Sequence, residues 1–567
     1  MKKSIFIALF FILALNVKTN AQIVNIPDSN FKAALVNNVL INTNSDFEIQ
    51  ISEAESIMYG LDVAGSGISD LTGIEAFINL TLLDCSDNFL TNLDLTSNTR
   101  LQILYCSENL LTDLNLTSNN QIGFVECSHN QIQNLNFSNL NTSLWTLRCP
   151  DNNLTSLDLS NHSDLIMLDC TSNYLTSLDL SSKPYLSEVY CSYNNMSNLD
   201  LTSDSALSRL ECAHNSFQSL DLTTNIQLGF LECSNNQLST LELDYNINLR
   251  ELSCKDNLIS NLDLSNNLLI FKLNCSNNNL SILDLSSNLN LQYFNCNYNI
   301  IPTLDLSYNP LLENVACTNN FLSNLDVTSN PMLKTILCSS NNLSSLILDF
   351  NHALTYLACT NNLISNIDFL NNNLLSTLYC DSNNLSALDL SNNQELLNFN
   401  CSFNAISTLD LSHNNLIRNF NCRSNNLTTL NIQNGNNFIL DGPYFVAYNN
   451  PLLYCIQVDD VAYSSVNWTL IDSTSNFSTN CAVGIEEFDL INKIEVYPSP
   501  FSSDLTIKSS QKLKQVHIYN CFGALIYSAV LEGRDQELDL RSLNSGVYYL
   551  ITIDEKENLC SSRIIKS

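Results

Sequence analysis

LRELSCKDNLISNLDLSNN, residues 249–267, is one copy of a unit that returns along most of a 567-residue chain. Its Cys254 is one of seventeen cysteines, from Cys85 to Cys422, spaced 21 residues apart with a single step of 22 between Cys127 and Cys149. A fixed period in this range is the mark of a solenoid, in which each repeat is one coil and is stable only against its neighbours. All seventeen cysteines are followed three residues later by asparagine, as Cys254 is by Asn257. An inward amide carries donors and an acceptor together, so it can serve the backbone of its own coil and the next, and stacked coils form an asparagine ladder.

Alternation around the cysteine sets the register. In Leu83-Asp84-Cys85 a period of two turns leucine and cysteine inward and aspartate outward, and Leu93-Asp94-Leu95 repeats the pattern in the second half of the coil. The pattern predicts a mostly β solenoid with two short parallel strands per coil on opposite sides. In-register side chains on neighbouring rungs stand about 4.8 Å apart, wider than the ~3.8 Å Cβ separation of a disulfide. A linear file of single thiols also offers no tetrahedral pocket for a metal. The cysteines therefore read as a buried, reduced spine.

The unit L-x-x-L-x-C-S-x-N-x-L-x-x-L-D-L-S-x-N resembles leucine-rich repeats over residues 79–452, in the nested 21-residue class called IRREKO. The resemblance implies a right-handed coil.

Outside the repeats the composition changes. Residues 1–21, with two lysines, an apolar run from Ile5 to Leu15 and a small residue before Gln22, read as a secretory signal, and no other stretch is long and apolar enough to span a membrane. Residues 22–78 form an N-terminal cap with a helical stretch at Phe31–Leu40 and another from Ala54. Between them Asn42, Asn44, Asp46, Glu48 and Glu53 have the spacing of a 12-residue EF-hand-type calcium loop. Asn42 in place of aspartate and Phe47 in place of glycine count against calcium, and no other cofactor is implied. Residues 453–484 form a C-terminal cap in which Cys455 and Cys481, isolated in an exported segment, predict a disulfide.

Residues 485–567 turn to alternating apolar strands and read as a small antiparallel β-sandwich of about seven strands. Tyr497-Pro498-Ser499-Pro500, Gly523, Gly546-Val547-Tyr548 and the basic end at Lys566 resemble the type A C-terminal sorting domain of the type IX secretion system of Bacteroidota. Ser499 stands where asparagine is usual, and the pairing of Cys521 and Cys560 stays open. The resemblance implies passage through the outer membrane by that machinery, removal of the domain, and surface attachment or release.

Formal net charge is −33, from 56 acidic and 23 basic residues, with no basic stripe, which disfavours nucleic acid and anionic lipid as partners. Much of the acidity is ordered, because the middle of the second strand is aspartate in 12 of 17 coils. Hydrogen bonds to the serine or threonine two residues on are expected to offset the repulsion, and divalent cations bridging the rungs are the alternative. The six histidines are scattered, and neither H-E-x-x-H, G-x-S-x-G nor a glycine-rich phosphate loop occurs, so the chain does not read as an enzyme. Binding is the expected function, as an adhesin or recognition module for protein or glycan, with a monomeric chain. A structural spacer, or an accessory subunit of a surface hydrolase complex, is the alternative. Outward positions on the cysteine strand vary most in the early coils. Tyr105, Phe124, Glu126, Arg148, Tyr190, Arg209, Glu211, Phe230 and Glu232 form the expected face, and the 22-residue step should bulge and displace Trp145 and Arg148.

Overall fold

A computed structural model describes residues 22–138, 143–440, 442–481, 494–520, 524–555 and 559–567. The signal segment, Cys521 and Gly523 lie outside the described residues. The chain divides into two units, Met1–Asn480 and Cys481–Ser567.

In the first unit a 19-stranded sheet runs from Gly60–Asp62 to Phe445–Val446, every pairing parallel. Leu252 aligns with Leu231 before it and Leu273 after it, so the inward file of one coil stacks on the next without slippage. The sheet begins before the cysteines do: Leu61 pairs with Leu83, which puts Val63 in the cysteine register. At the other end Ala447 takes that register, fully buried after the last strand.

Each cysteine extends the ladder by one bond, as Cys254 does by donating its N–H to the Asn274 carbonyl at 2.9 Å. The chain then turns through a residue in the left-handed region, Asp256 at φ 53°. None of the equivalent residues in the seventeen cysteine coils is glycine, although side chains pay steric cost there. The next residue holds the turn. Asn257 Nδ2 donates to the carbonyls of Cys233 (3.0 Å), Cys254 (3.1 Å) and Lys255 (3.3 Å), and Oδ1 accepts the Leu238 N–H at 2.9 Å. Aspartate has no donor for those carbonyls and leucine has neither group, which is why asparagine recurs.

The second side of the coil keeps the alternation, with Leu262 and Leu264 buried and Asp263 exposed. Regular pairing appears there in two places only among the described residues. Asp113–Leu116 pairs with Asn134–Phe137, and Thr408–Asp410, Thr429–Asn431, Cys455–Gln457 and Asn476–Ser478 form a four-stranded sheet. The opposed middle residues are Asn115 with Asn136, Asp410 with Asn431, Asn431 with Gln457, and Gln457 with Ser478. No ladder sets aspartate against aspartate, consistent with like charges directly opposite being destabilising. Where the aspartate column is unbroken the extended segments run side by side without pairing.

A second asparagine column braces this side. Asn267 Nδ2 donates to the carbonyls of Leu243 (3.1 Å) and Asn246 (2.9 Å) in the preceding coil. Its Oδ1 is buried without a partner, as is that of eleven other asparagines in the column, from Asn98 to Asn414.

The N-terminal cap holds α1 (Ser29–Val36) and α2 (Ile51–Ser56). Asp28 caps α1 by accepting the N–H groups of Asn30 and Phe31, and its other oxygen takes Ser69 N–H and Oγ at 2.9 Å each. At the far end α3 (Val461–Asn467) leads into Trp468, which stacks on Phe445 at 4.2 Å and donates Nε1–H to the Leu440 carbonyl at 2.9 Å. This covers the last rung, as a solenoid end requires. Cys455 and Cys481 are disulfide-bonded.

The second unit has five strands among the described residues: Ile494–Tyr497, Asp504–Asn520, Leu525–Asp539, Gly546–Asp554 and Leu559–Lys566, all paired antiparallel. The sequence pattern points to about seven because two of these are long and broken by register shifts, and one of them, Asp504–Asn520, changes partner along its length. Residues 506–509 pair with Ile494–Tyr497, whereas 513–520 pair with Gly546–Asp554. A bridge from Phe501 to Lys566 brings the sheet nearly closed on itself. Its core gathers Leu505, Ile507, Val516, Ile518, Leu550 and Ile564.

Candidate binding face

Because the central residue of each first-side strand is buried, its two neighbours form parallel files on the outer surface. One file carries Ile103, Phe124, Thr146, Met167, Glu188, Arg209 and Phe230, and the other Tyr105, Glu126, Arg148, Asp169, Tyr190, Glu211 and Glu232. All the strand residues expected to face a ligand lie on these two files. The 22-residue step leaves them in register: Thr146 pairs with Phe124 and Arg148 with Glu126, so the expected displacement of Arg148 does not occur. The extra residue is taken up ahead of the strand, and Trp145 precedes the rung.

The files divide into two groups. In the first, Phe124 packs against Tyr105 (centroids 5.0 Å) and against Trp145 (5.4 Å), with the rings tilted by 46° and 48°. Trp145 is 43% exposed and lies across Gly123, where a Cβ would come within 2.5 Å of the indole Nε1. Gly123 is therefore what allows the indole to lie over the sheet. Beside them Arg148 Nε stands 3.4 Å from Glu126 Oε2.

In the second group Arg209 lies over the Phe230 ring at 3.7 Å and near the Tyr190 ring at 5.6 Å. Its Nε and one terminal nitrogen donate to Glu211 Oε1 at 2.9 and 2.6 Å. Tyr190 donates its hydroxyl to Glu188 at 2.8 Å, and burial together with this bond to a carboxylate pushes the phenol up to about 12. Glu232 accepts the Ser234 N–H at 2.9 Å. Each charge is thus held in place by a neighbour, and guanidinium stacking and carboxylate bridging make the group rigid.

Met167, between the two groups, and Glu188 were not singled out in the sequence, although the file spacing points to both. The later rungs differ. Ser253, Asn274 and Asn295 follow Glu232 along one file, and on the other Asn419 bonds Asn398. Tyr356 and Tyr379 form an isolated edge-on pair at 5.9 Å.

The N-terminal loop commits its carboxylates internally. Glu53 accepts Thr43 N–H, Thr43 Oγ and Gln50 N–H at 2.8, 2.8 and 3.0 Å, and Glu48 pairs with Lys32 at 2.7 Å. Asp46 accepts from the side chains of Asn44 and Gln50, each at 2.9 Å, and Asn42 Nδ2 donates to the Asp46 carbonyl at 2.7 Å. Along the aspartate side the expected bonds are present: Thr202 donates its N–H and hydroxyl to Asp200 at 3.0 and 2.7 Å. Equivalent bonds hold Asp158, Asp179, Asp221, Asp263, Asp284, Asp305 and Asp326 below the usual carboxylate range.

In the second unit Tyr548 donates its hydroxyl to the Asn544 carbonyl at 2.8 Å, and Lys566 Nζ to the Leu540 carbonyl at 2.7 Å. The motif residues Tyr548 and Lys566 thus brace the sheet that carries them.

Residues 495–567 match the family of secretion system C-terminal sorting domains. No curated protein matches the sequence. Among solved structures the chain is similar to a leucine-rich-repeat protein of Leptospira interrogans, at 19% identity over 63% of this chain and 93% of that one, TM-score 0.52. It is similar to the plant peptide hormone receptor RGFR1 in complex with RGF2, at 19% identity over 76% of each chain, TM-score 0.62. YopM from Yersinia enterocolitica matches at 24% identity over 66% of this chain and 88% of that one, TM-score 0.51. At these identities the likeness is one of fold. No helix among the described residues is long and apolar enough to cross a membrane. The first unit is a leucine-rich-repeat solenoid, and the chain ends in a secretion-system sorting domain that marks it for export to the cell surface.

Proposed function

We propose that the exported chain is a non-catalytic recognition module, an adhesin that engages a protein or glycan through the first-side strands of residues 103–232. The observation that carries this reading is the pair of packed aromatic groups, Tyr105–Phe124–Trp145 and Tyr190–Arg209–Phe230, on one sheet face. Aromatic and arginine side chains held rigid at a surface are the composition of interface anchors, because little entropy is lost when they are covered. The rings of the first group are tilted rather than coplanar, which suits insertion of an apolar side chain better than flat stacking of a sugar.

Catalysis lacks support on this face, where the acidic side chains are tied to arginine, tyrosine or backbone N–H. The spacer reading draws on the later rungs, whose serine and asparagine files present few anchors. Surface plasmon resonance of ligands selected from protein and glycan arrays, with and without calcium, tests the proposal. Tyr105→Ala, Trp145→Ala and Tyr190→Ala together should weaken binding at least tenfold. Unchanged affinity would reject this face, and binding lost only on calcium removal would move the site to the loop at Asn42–Glu53.

A further inference from the structure

The charges on the proposed binding face do not balance. On the strands from Phe124–Glu126 to Phe230–Glu232 the two outer files carry five carboxylates, Glu126, Asp169, Glu188, Glu211 and Glu232, against two guanidiniums, Arg148 and Arg209. Both cations are already committed, Arg148 standing 3.4 Å from Glu126 and Arg209 2.6 Å from Glu211. Among the described residues no cation lies within 4.0 Å of Asp169, Glu188 or Glu232. Each of the three engages one oxygen: Asp169 Oδ1 accepts the Thr171 N–H at 3.1 Å, Glu188 Oε2 the Tyr190 hydroxyl at 2.8 Å, and Glu232 Oε1 the Ser234 N–H at 2.9 Å. The other oxygen of each has no hydrogen-bond partner among the described residues and is open to solvent.

The imbalance is local. Further along the same side of the coil Glu251 is met by Lys272 at 3.2 Å and Glu313 by Lys334 at 2.8 Å, each lysine coming from the next coil. A cation from the next coil can therefore reach a carboxylate on this surface, and the rungs that carry the aromatic groups are where it is missing.

Resting on the reading of this face as a binding surface, we propose that its partner is a protein segment carrying lysines or arginines beside an apolar side chain. The apolar side chain covers Trp145 and Phe124, and the cations take the open oxygens of Asp169, Glu188 and Glu232. Asp169 and Glu232 lie three rungs apart, about 14 Å at the usual strand spacing, which an extended segment crosses in about four residues. A partner that covers these carboxylates without a cation leaves them desolvated and unpaired, so acidic and uncharged segments are selected against. Neutral sugar hydroxyls can bond the same oxygens, but they leave all three charges uncompensated.

Surface plasmon resonance of the full chain tests this with three probes: synthetic peptides carrying two lysines beside a leucine, the same peptides with glutamate for lysine, and neutral glycans. Because the whole chain is acidic, two variants that lose the same charge are compared, Asp169→Asn with Glu188→Gln and Glu232→Gln on the face, and Asp263→Asn with Asp284→Asn and Asp305→Asn on the second side. Lysine peptides should bind the parent and the second-side variant within about twofold of each other, bind the face variant about tenfold or more weakly, and weaken as salt is raised, while glutamate peptides should not bind. Equal loss from the two variants, no binding of lysine peptides, or capture of glutamate peptides or glycans in their place would overturn the proposal. If such a substitute ligand is lost in Trp145→Ala with Tyr190→Ala, the charge assignment falls and the binding face stands; if that pair leaves its affinity unchanged, both fall.

Discussion

The two sides of the coil have the same inward leucines and the same period of two, yet among the described residues one is a continuous 19-stranded ladder and the other pairs only near its ends. On the first side each strand bonds its neighbours and the asparagine after the cysteine closes the turn with four hydrogen bonds. On the second side aspartates stand in file and turn their carboxylates to their own serine or threonine, and the asparagine column makes two bonds per coil. Burial pattern therefore fixes which residues face inward without fixing whether backbones pair.

The largest effect that sharpens this contrast is expected from the two asparagines. Asn257→Ala strands one buried N–H and three carbonyls and should cost about 3 kcal/mol or more, whereas Asn267→Ala, which loses two bonds, should cost roughly half as much. Urea unfolding of each variant measures the difference, and equal losses would break the distinction between the columns. Cys254→Ser places a hydroxyl in the apolar spine and should cost about 1 to 3 kcal/mol. Burial pushes the Cys254 thiol well above its usual range, so a thiol reagent should label the solenoid cysteines only on unfolding.

Acid should act on the second side first. The bonds to serine and threonine lower the folded pKa of Asp263 and its column neighbours, so this stabilisation is complete above an unfolded pKa of about 3.9 and is lost as pH falls through the lowered values. The melting temperature should hold down to about pH 4 and fall below it. A fall already complete at pH 6 would point elsewhere. The smallest effect is that of Asp284→Asn with Asp305→Asn, which removes the like-charge oppositions from Asp263 through Asp326 and should stabilise by a few tenths of a kcal/mol, with slower amide exchange in the segments between Leu283 and Leu306.

The cysteine period sets the register in advance, and with it which strand positions lie on the two outer files, because a 21-residue coil leaves no freedom in which position points out. The missing second ladder was not legible, since Leu262-Asp263-Leu264 alternates identically whether or not it pairs. Trp145 crossing Gly123 depends on how the extra residue before the Thr146 rung is absorbed, which spacing alone does not say. The calcium spacing at Asn42–Glu53 shares its carboxylates with nearby N–H groups and Lys32, partners that spacing alone does not reveal.

Recognition is proposed to be confined to the early first-side rungs. Affinity for an array-selected ligand, compared between Trp145→Ala with Tyr190→Ala and a control pair on the later rungs, Tyr356→Ala with Tyr379→Ala, measures it directly. At least a tenfold loss for the first pair and little change for the second is the predicted result. Loss from the later pair alone, with the thiols still protected in both proteins, would contradict it.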